Sequence, residues 1–375
     1  MKIFRGFHHP DIAPTCALTI GNFDGVHRGH QAMLALLNNE AQHRNVPSCV
    51  MTFEPHPRDY FAAAAHKPEL APARIATLRD KLQELERCRV EQVVVLPFDQ
   101  RLASQSPQAF IEDVLVRGLG VRYVLVGDDF RFGAKRAGDY NLLDAQGDEL
   151  GFDVARMNSY EVSDPQSRRN QGIPSWEASS FGRVPGSHGL RVSSSAVREA
   201  LDEGRMDDAA RLLGRPYAIS GHVVHGRKLG RELGASAPGR GDGFRTLNLR
   251  FAHWKPAASG IFAVRVFGLR TDPNAAVEGV ANLGIRPSID PNDVNGGRVL
   301  LETHCFDWPT ELANQEAYGK IIRVELLQKL HDELKYDSLD ALTTGIAKDC
   351  RDARAYFAQA QARRQTTRDR ISTGS

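Results

Sequence analysis

The stretch Gly21-Asn22-Phe23-Asp24-Gly25-Val26-His27-Arg28-Gly29-His30 concentrates glycines, an acid and two histidines in ten residues. It follows an apolar run, Cys16 to Ile20, and precedes Ala32 to Leu37. The first reads as a buried strand and the second as a helix. A strand-to-helix turn aims backbone N–H groups and a helix N-terminus at an anion. At the start of a helix, His27 and His30 lie on one face, where both imidazoles reach the same phosphate and offer donors able to carry positive charge. Gly29 removes a side chain between them and lets a phosphate approach the backbone. Such a pair suits nucleotidyl transfer, in which positioning and charge stabilisation do most of the catalysis and no protein nucleophile is required.

Other clusters carry weaker signals. Ser193-Ser194-Ser195-Ala196-Val197-Arg198 opens a second helical segment. Capping alone explains one serine, but Arg198 in the first turn opposes the helix dipole. Beside the first motif, a phosphate grip is the better reading of these hydroxyls and this guanidinium. Thr52-Phe53-Glu54-Pro55-His56-Pro57 and Gly127-Asp128-Asp129-Phe130-Arg131-Phe132-Gly133 each follow a predicted strand, where open α/β sheets bind ligands. The aspartates suit ribose hydroxyls or an ion and the phenylalanines a planar ring, although the same residues also make an ordinary acidic turn. Farther on, Thr246-Leu247-Asn248-Leu249-Arg250-Phe251 alternates cleanly, so Thr246 and Asn248 share a face. Their oxygens suit Mg²⁺ alongside phosphate oxygens, and equally suit a solvated strand. Glu302, with His304 on its face and Leu301 on the other, offers a carboxylate able to take a proton from a hydroxyl during phosphoryl transfer.

The elements that must position these residues differ between the two halves. Before Gly214 the chain alternates strands and helices: apolar runs at Cys16–Ile20, Ser48–Phe53, Gln92–Leu96 and Tyr123–Val126, and helical stripes at Ile75, Leu78, Leu82 and Leu85 and at Phe110, Val114 and Leu115. Continuous apolar strands between helices predict a doubly wound, Rossmann-like α/β sheet. After Gly214, short strand-like runs at 217–224, 246–251, 260–267, 277–283, 299–306 and 320–327 follow one another with no helix between them, which predicts a small antiparallel barrel. Leu339, Leu342, Ile346, Ala353 and Phe357 recur at helical spacing and predict one covering helix. Residues 159–189 and 235–243 are rich in Ser, Pro, Gly and Arg and read as loops, and a polar basic tail from Ala358 is expected to fray.

These motifs, in this order, resemble those of the prokaryotic bifunctional riboflavin kinase/FAD synthetases over nearly the whole chain. The first motif is complete, and the family's Ser-Ser-Thr-x-Ile-Arg stands here as Ser193 to Arg198, with Ser for Thr and Val for Ile. The kinase half is carried by 220–226, 230–234, 279–287 and 301–304. The resemblance implies an FMN adenylyltransferase domain over 1–213, a riboflavin kinase domain over 214–357 and a polar tail over 358–375. It implies His27, His30, Arg198 and Glu302 as catalytic residues. Gly21, Asn22, Phe23, Asp24, Gly25, Gly29, Asp129, Ser194, Ser195, Gly226, Gly230 and Arg231 would bind nucleotide. Phe53, Pro55, Phe130 and Arg286 would contact flavin, and Thr246 and Asn248 would hold Mg²⁺–ATP. The partners implied are riboflavin, FMN, FAD and ATP. Three departures stand out: an insertion at 235–243, Arg245 where the family has proline, and His331 where it has arginine.

Composition bounds the alternatives. The chain has 375 residues, 25% charged and 41% hydrophobic, with a formal net charge of +2. That charge names neither nucleic acid nor a membrane as the main partner. Five scattered cysteines without a Cys-x-x-Cys pair suggest neither zinc nor disulfides. No signal peptide or membrane-length apolar run is evident, so a cytoplasmic enzyme is expected. A P-loop is absent, as is any helix-turn-helix or basic stripe that a flavin-sensing regulator would use to bind DNA.

Overall fold

The computed structural model describes residues 1–162, 190–224, 246–250, 255–286, 298–309, 312 and 317–372, with the backbone alone at 285, 286, 298, 364 and 366–372. The chain divides into two compact units, Met1–Pro72 with Lys81–Ala196, and Ala73–Asp80 with Val197–Ser375.

The first unit holds a six-stranded parallel sheet in the order β1-β4-β3-β2-β5-β6. The strands are β1 (Lys2–Arg5), β2 (Cys16–Ile20), β3 (Ser48–Glu54), β4 (Gln92–Pro97), β5 (Val121–Gly127) and β6 (Asp153–Met157). Successive strand residues feed two separate cores. Cys16, Leu18, Ile20, Cys49, Met51, Val94, Val124 and Val126 pack with Phe110, Ile111, Val114, Leu115 and Leu143 on one face. Ala17, Val50, Val93, Val95, Tyr123 and Leu125 pack with Leu34, Leu37 and Leu85 on the other. Both faces are buried, which is why these strands are continuously apolar rather than alternating. β2 lies where the strand order reverses, with β3 on one side and β5 on the other. Open α/β sheets bind ligands beyond the strand ends at such a switch point.

Two local expectations change. The helix expected from Ile75 spans Leu78–Arg87, because Thr77 caps it: the Thr77 hydroxyl accepts from the Asp80 N–H at 3.1 Å and donates to the Asp80 carboxylate at 2.7 Å. The stretch around Phe110 is a π-helix over Phe110–Gly118.

In the second unit six strands close an antiparallel barrel in the order β10-β13-β12-β11-β14-β9. Following β7 (Glu161–Val162) and β8 (Leu190–Arg191), they are β9 (Tyr217–Val224), β10 (Thr246–Arg250), β11 (Gly260–Phe267), β12 (Val277–Arg286), β13 (Arg298–Cys305) and β14 (Ile321–His331). Leu247, Thr303, Ala281 and Phe262 stand opposite one another across four strands and are all buried. The other face of β11 and β12, at Ile261, Ala263 and Val280, packs against Ala353 and Phe357 of the terminal helix. That helix spans Leu339–Ser372. It does not fray after Phe357 as expected, since the Ala, Gln and Arg that follow are good helix formers. Within the loop expected over 159–189, Glu161–Val162 form β7 instead, paired with β8; residues 163–189 and the insertion at 235–243 lie outside the described residues. All five cysteines are free.

Phe262 is wholly buried. We expect Phe262→Ala to cost about 3–5 kcal/mol, read as an earlier denaturant midpoint for the transition that reports the barrel.

Candidate functional site

Each unit carries one constellation. In the first, the chain leaves β2 through a tight turn with positive φ at Phe23 (48°), Gly25 (88°) and Val26 (40°). A β-branched valine in this region is strained. The turn is held by burial: Phe23 is 1% exposed and Val26 0%, both in the core under α1 (Arg28–His43). Hydrogen bonds fix it further. Gly21 N–H donates to the Met51 carbonyl at 3.0 Å, and Thr52 Oγ1 donates to the Asn22 carbonyl at 3.3 Å. Ser194 Oγ donates to the Asp24 carbonyl at 3.0 Å, so the serine motif reaches the first motif directly across 170 residues of sequence.

His27 is the N-cap of α1, and its Nδ1 accepts from the His30 N–H at 3.3 Å. An imidazole that accepts at Nδ1 carries its proton at Nε2. The His27 and His30 rings stack with centroids 3.7 Å apart and planes 12° from parallel. Phe23 packs 4.9 Å from the His30 ring. A Cβ at Gly29 would come to 3.3 Å from the His27 ring, so glycine preserves the stack. Burial, then His27, then Lys81 push the His30 pKa well below its ordinary value. The sequence reads both imidazoles as able to carry positive charge; in the free protein burial disfavours that charge on His30. Buried His30 Nδ1 and Asn22 Oδ1 have no hydrogen-bond partner. Polar atoms in that state suit a site completed by a ligand.

The remaining candidates before Gly214 divide. Asp129 is exposed just past β5. Asp128 accepts from Ser159 Oγ at 2.5 Å and lies 3.8 Å from Arg191. Phe130 is half-buried and stacks on core residue Phe132 at 5.4 Å. Phe53 meets Phe98 edge-on at 5.7 Å, and Tyr60 and Phe61 extend this aromatic group past the end of β3, where Pro55 is exposed. In the serine motif, Ser193 Oγ accepts from Ala196 N–H at 3.2 Å and so caps the helix Ser194–Asp202, while Ser195 is exposed. Arg198 belongs to the second unit and donates from Nε to the Ala73 carbonyl at 2.7 Å. Lys81 was not a sequence candidate. It falls three residues after Leu78 on the apolar stripe of its helix, and that placement was the available signal.

In the second unit, register builds the constellation. Asn248 on β10, Glu302 on β13 and Asn282 on β12 stand directly opposite one another in one row. Thr246 and His304 form the next row on the same face. Asn248 is 3% exposed, and neither its Oδ1 nor that of Asn282 has a hydrogen-bond partner; Thr246 is exposed. Asn282 Nδ2 donates to Glu333 Oε1 at 3.0 Å. Nearby, His331 Nε2 lies 2.8 Å from Asp349 Oδ1 and Nδ1 lies 2.7 Å from the Asp332 carbonyl. Burial works against the His331 proton, but these two acceptors outweigh it and raise the pKa. Gly226, Gly230, Arg231 and Arg245 lie outside the described residues, as does the side chain of Arg286. Among the described residues no group of three or more His, Cys, Asp or Glu is placed to hold a metal.

His30 gives a signed pH prediction. Its folded pKa is depressed, so below about 6.5 the unfolded chain takes up a proton that the folded chain refuses. His30 therefore favours the folded state above that pH and ceases to do so as pH falls. Replacing it, as in His30→Asn, is expected to flatten the acid side of the stability profile, and imidazole NMR in the wild type is expected to show titration below 6.5.

A family model described as FAD synthetase matches residues 9–169, and one described as riboflavin kinase matches residues 213–357. The Ser193–Arg198 motif lies between the two. The bifunctional riboflavin kinase/FMN adenylyltransferase of Escherichia coli is 41% identical over 95% of this chain and 98% of its own length. That of Haemophilus influenzae is 38% identical over 95% and 99%. A crystal structure described as a macrolide-efflux protein from Streptococcus pneumoniae superposes with a TM-score of 0.64 at 25% identity, over 93% of this chain and 97% of that one. Among the described residues no helix is long and apolar enough to cross a membrane. With both family models matched and relatives similar from end to end, the chain belongs to the bifunctional riboflavin kinase/FMN adenylyltransferases.

Proposed function

We propose that this chain makes FAD in two ATP-dependent steps at two separate sites. Riboflavin and ATP give FMN and ADP at the barrel; FMN and ATP give FAD and pyrophosphate at the sheet. The observation that carries the reading is the presence, in one chain of this family, of the stacked His27–His30 pair at a helix start and of the Asn248–Glu302 row on the barrel.

In adenylyl transfer an FMN phosphate oxygen attacks the α-phosphorus of ATP and the bond to pyrophosphate breaks. Negative charge grows on the α-phosphate oxygens and on the leaving group. His27 meets that charge with its Nε2–H and α1 with its N-terminus. His30 starts neutral and gains a proton as the anion settles, because an adjacent negative charge favours the imidazolium. Gly21, Asn22, Phe23, Asp24, Gly25 and Gly29 shape the turn. Ser194, Ser195 and Arg198 are assigned to the triphosphate and Asp129 to the nucleotide. Phe53, Pro55 and Phe130 are assigned to the flavin ring, with the ends of three adjacent strands, β3, β2 and β5, supporting this grouping.

In the kinase step Glu302 accepts the proton of the riboflavin hydroxyl whose oxygen attacks the γ-phosphorus, and ADP leaves. The buried, unpartnered Oδ1 of Asn248 fits a hard cation, and Thr246 on the same face offers a second oxygen. Bound Mg²⁺ supplies positive charge to the ATP phosphates. Gly226, Gly230, Arg231 and Arg286 complete the assignment by family resemblance. The domains proposed are 1–213 and 214–357, and the compartment proposed is the cytoplasm.

Incubating the full-length protein with riboflavin, ATP and Mg²⁺ and separating the products is expected to yield both FMN and FAD. His30→Ala is expected to slow FMN adenylylation about 100-fold or more while riboflavin phosphorylation continues. Glu302→Gln is expected to slow phosphorylation about 100-fold or more while FMN still becomes FAD. A folded single variant that loses both activities would contradict two separate sites.

A further inference from the structure

Lys81 is wholly buried and has no part in the assignments above. An ammonium removed from water is costly unless polar groups receive its protons. Its Nζ donates to Thr52 Oγ1 at 3.2 Å, and Thr52 Oγ1 donates onward to the Asn22 carbonyl at 3.3 Å. The direction of this relay is set chemically: the ammonium only donates, so the hydroxyl accepts from it and turns its own proton to the carbonyl. A peptide group is planar with C=O and N–H opposed. Holding the Asn22 carbonyl therefore holds the Phe23 N–H pointing the other way, at the residue whose φ is +48°. A backbone in that region persists only where its surroundings enforce it. Lys81 also acts on His30: after burial and His27, its charge is the third cause that disfavours the imidazolium.

We propose that Lys81 is a positioning residue for adenylyl transfer, which pins the Asn22–Phe23 peptide through Thr52 in its phosphate-receiving conformation and sets the electrostatic surroundings of His30. The proposal rests on the reading of the first unit as an FMN adenylyltransferase site. It adds a residue that touches no substrate and acts through the turn and through the histidine.

The test uses the full-length protein and three variants: Lys81→Met, Lys81→Arg and Thr52→Val. FMN adenylylation, riboflavin phosphorylation and the NMR titration of the His30 imidazole are measured for each. Lys81→Met is expected to lower kcat for FAD formation about 100-fold, to leave phosphorylation within about twofold of wild type, and to move the His30 titration to higher pH. Lys81→Arg keeps the charge and is expected to return that titration toward wild type. Thr52→Val is expected to lower FAD formation about tenfold with the titration unmoved. A folded Lys81→Met protein that makes FAD at the wild-type rate, or that slows with an unmoved His30 titration, overturns the proposal. If Lys81→Met does not fold, wild-type FAD formation by Thr52→Val overturns it. Failure of the wild-type protein to convert FMN into FAD would instead overturn the reading of the site.

Discussion

The first unit depends on one constraint: the seven residues between β2 and α1 must hold three left-handed backbone conformations, two of them at non-glycine residues. The sequence meets it by burying Phe23 and Val26, so unwinding the turn would expose a phenylalanine and a valine to water. At about 1.5–3 kcal/mol for each side chain, that burial is comparable to the strain of about 1–3 kcal/mol per residue. The consequence is a rigid entry to α1. It presents Asn22, His27 and His30 in fixed relation, with two buried polar atoms left for a ligand to satisfy. A charged pair of imidazoles would repel itself at a 3.7 Å stack. Burial disfavours the charged form of His30 and so spares the stack that repulsion.

The barrel solves a different problem. Its inner row of Leu247, Thr303, Ala281 and Phe262 forms the core, and the period of two along each strand then forces Asn248, Glu302 and Asn282 onto the other face together. A shift of one residue in the pairing would send all three inward. The position of Glu302 beside Asn248 is thus a consequence of barrel register, and the hydrophobic core fixes that register.

Much of this was legible in the residues. The apolar runs located four of the six sheet strands because both faces of that sheet are buried, and all six barrel strands because turn residues separate them. β1 and β6 escaped because their burial is partial: Phe4 is the only buried residue of β1, and β6 has none. The His27–His30 stack follows from helical spacing, and the sharing of a face by Thr246 and Asn248 follows from alternation. Their different exposure does not, since it depends on what lies over each. The lowered pKa of His30 was hidden because its causes are burial first, then His27, and then Lys81, fifty-one residues away in sequence. Arg198 shows the opposite limit. Its motif spacing is clear, but its Nε hydrogen bond to the Ala73 carbonyl involves a segment with no motif of its own.

The central claim is that the β2–α1 turn is an anion grip whose neutral His30 becomes charged when the anion binds. Calorimetric titration of the full-length protein with pyrophosphate, in buffers of different ionisation enthalpy, reads this directly. The account predicts net proton uptake on binding near about pH 7 and weaker affinity as pH rises from about 6 to 8, with the uptake abolished by His30→Asn. Binding that takes up no proton, or uptake that persists without His30, would contradict it.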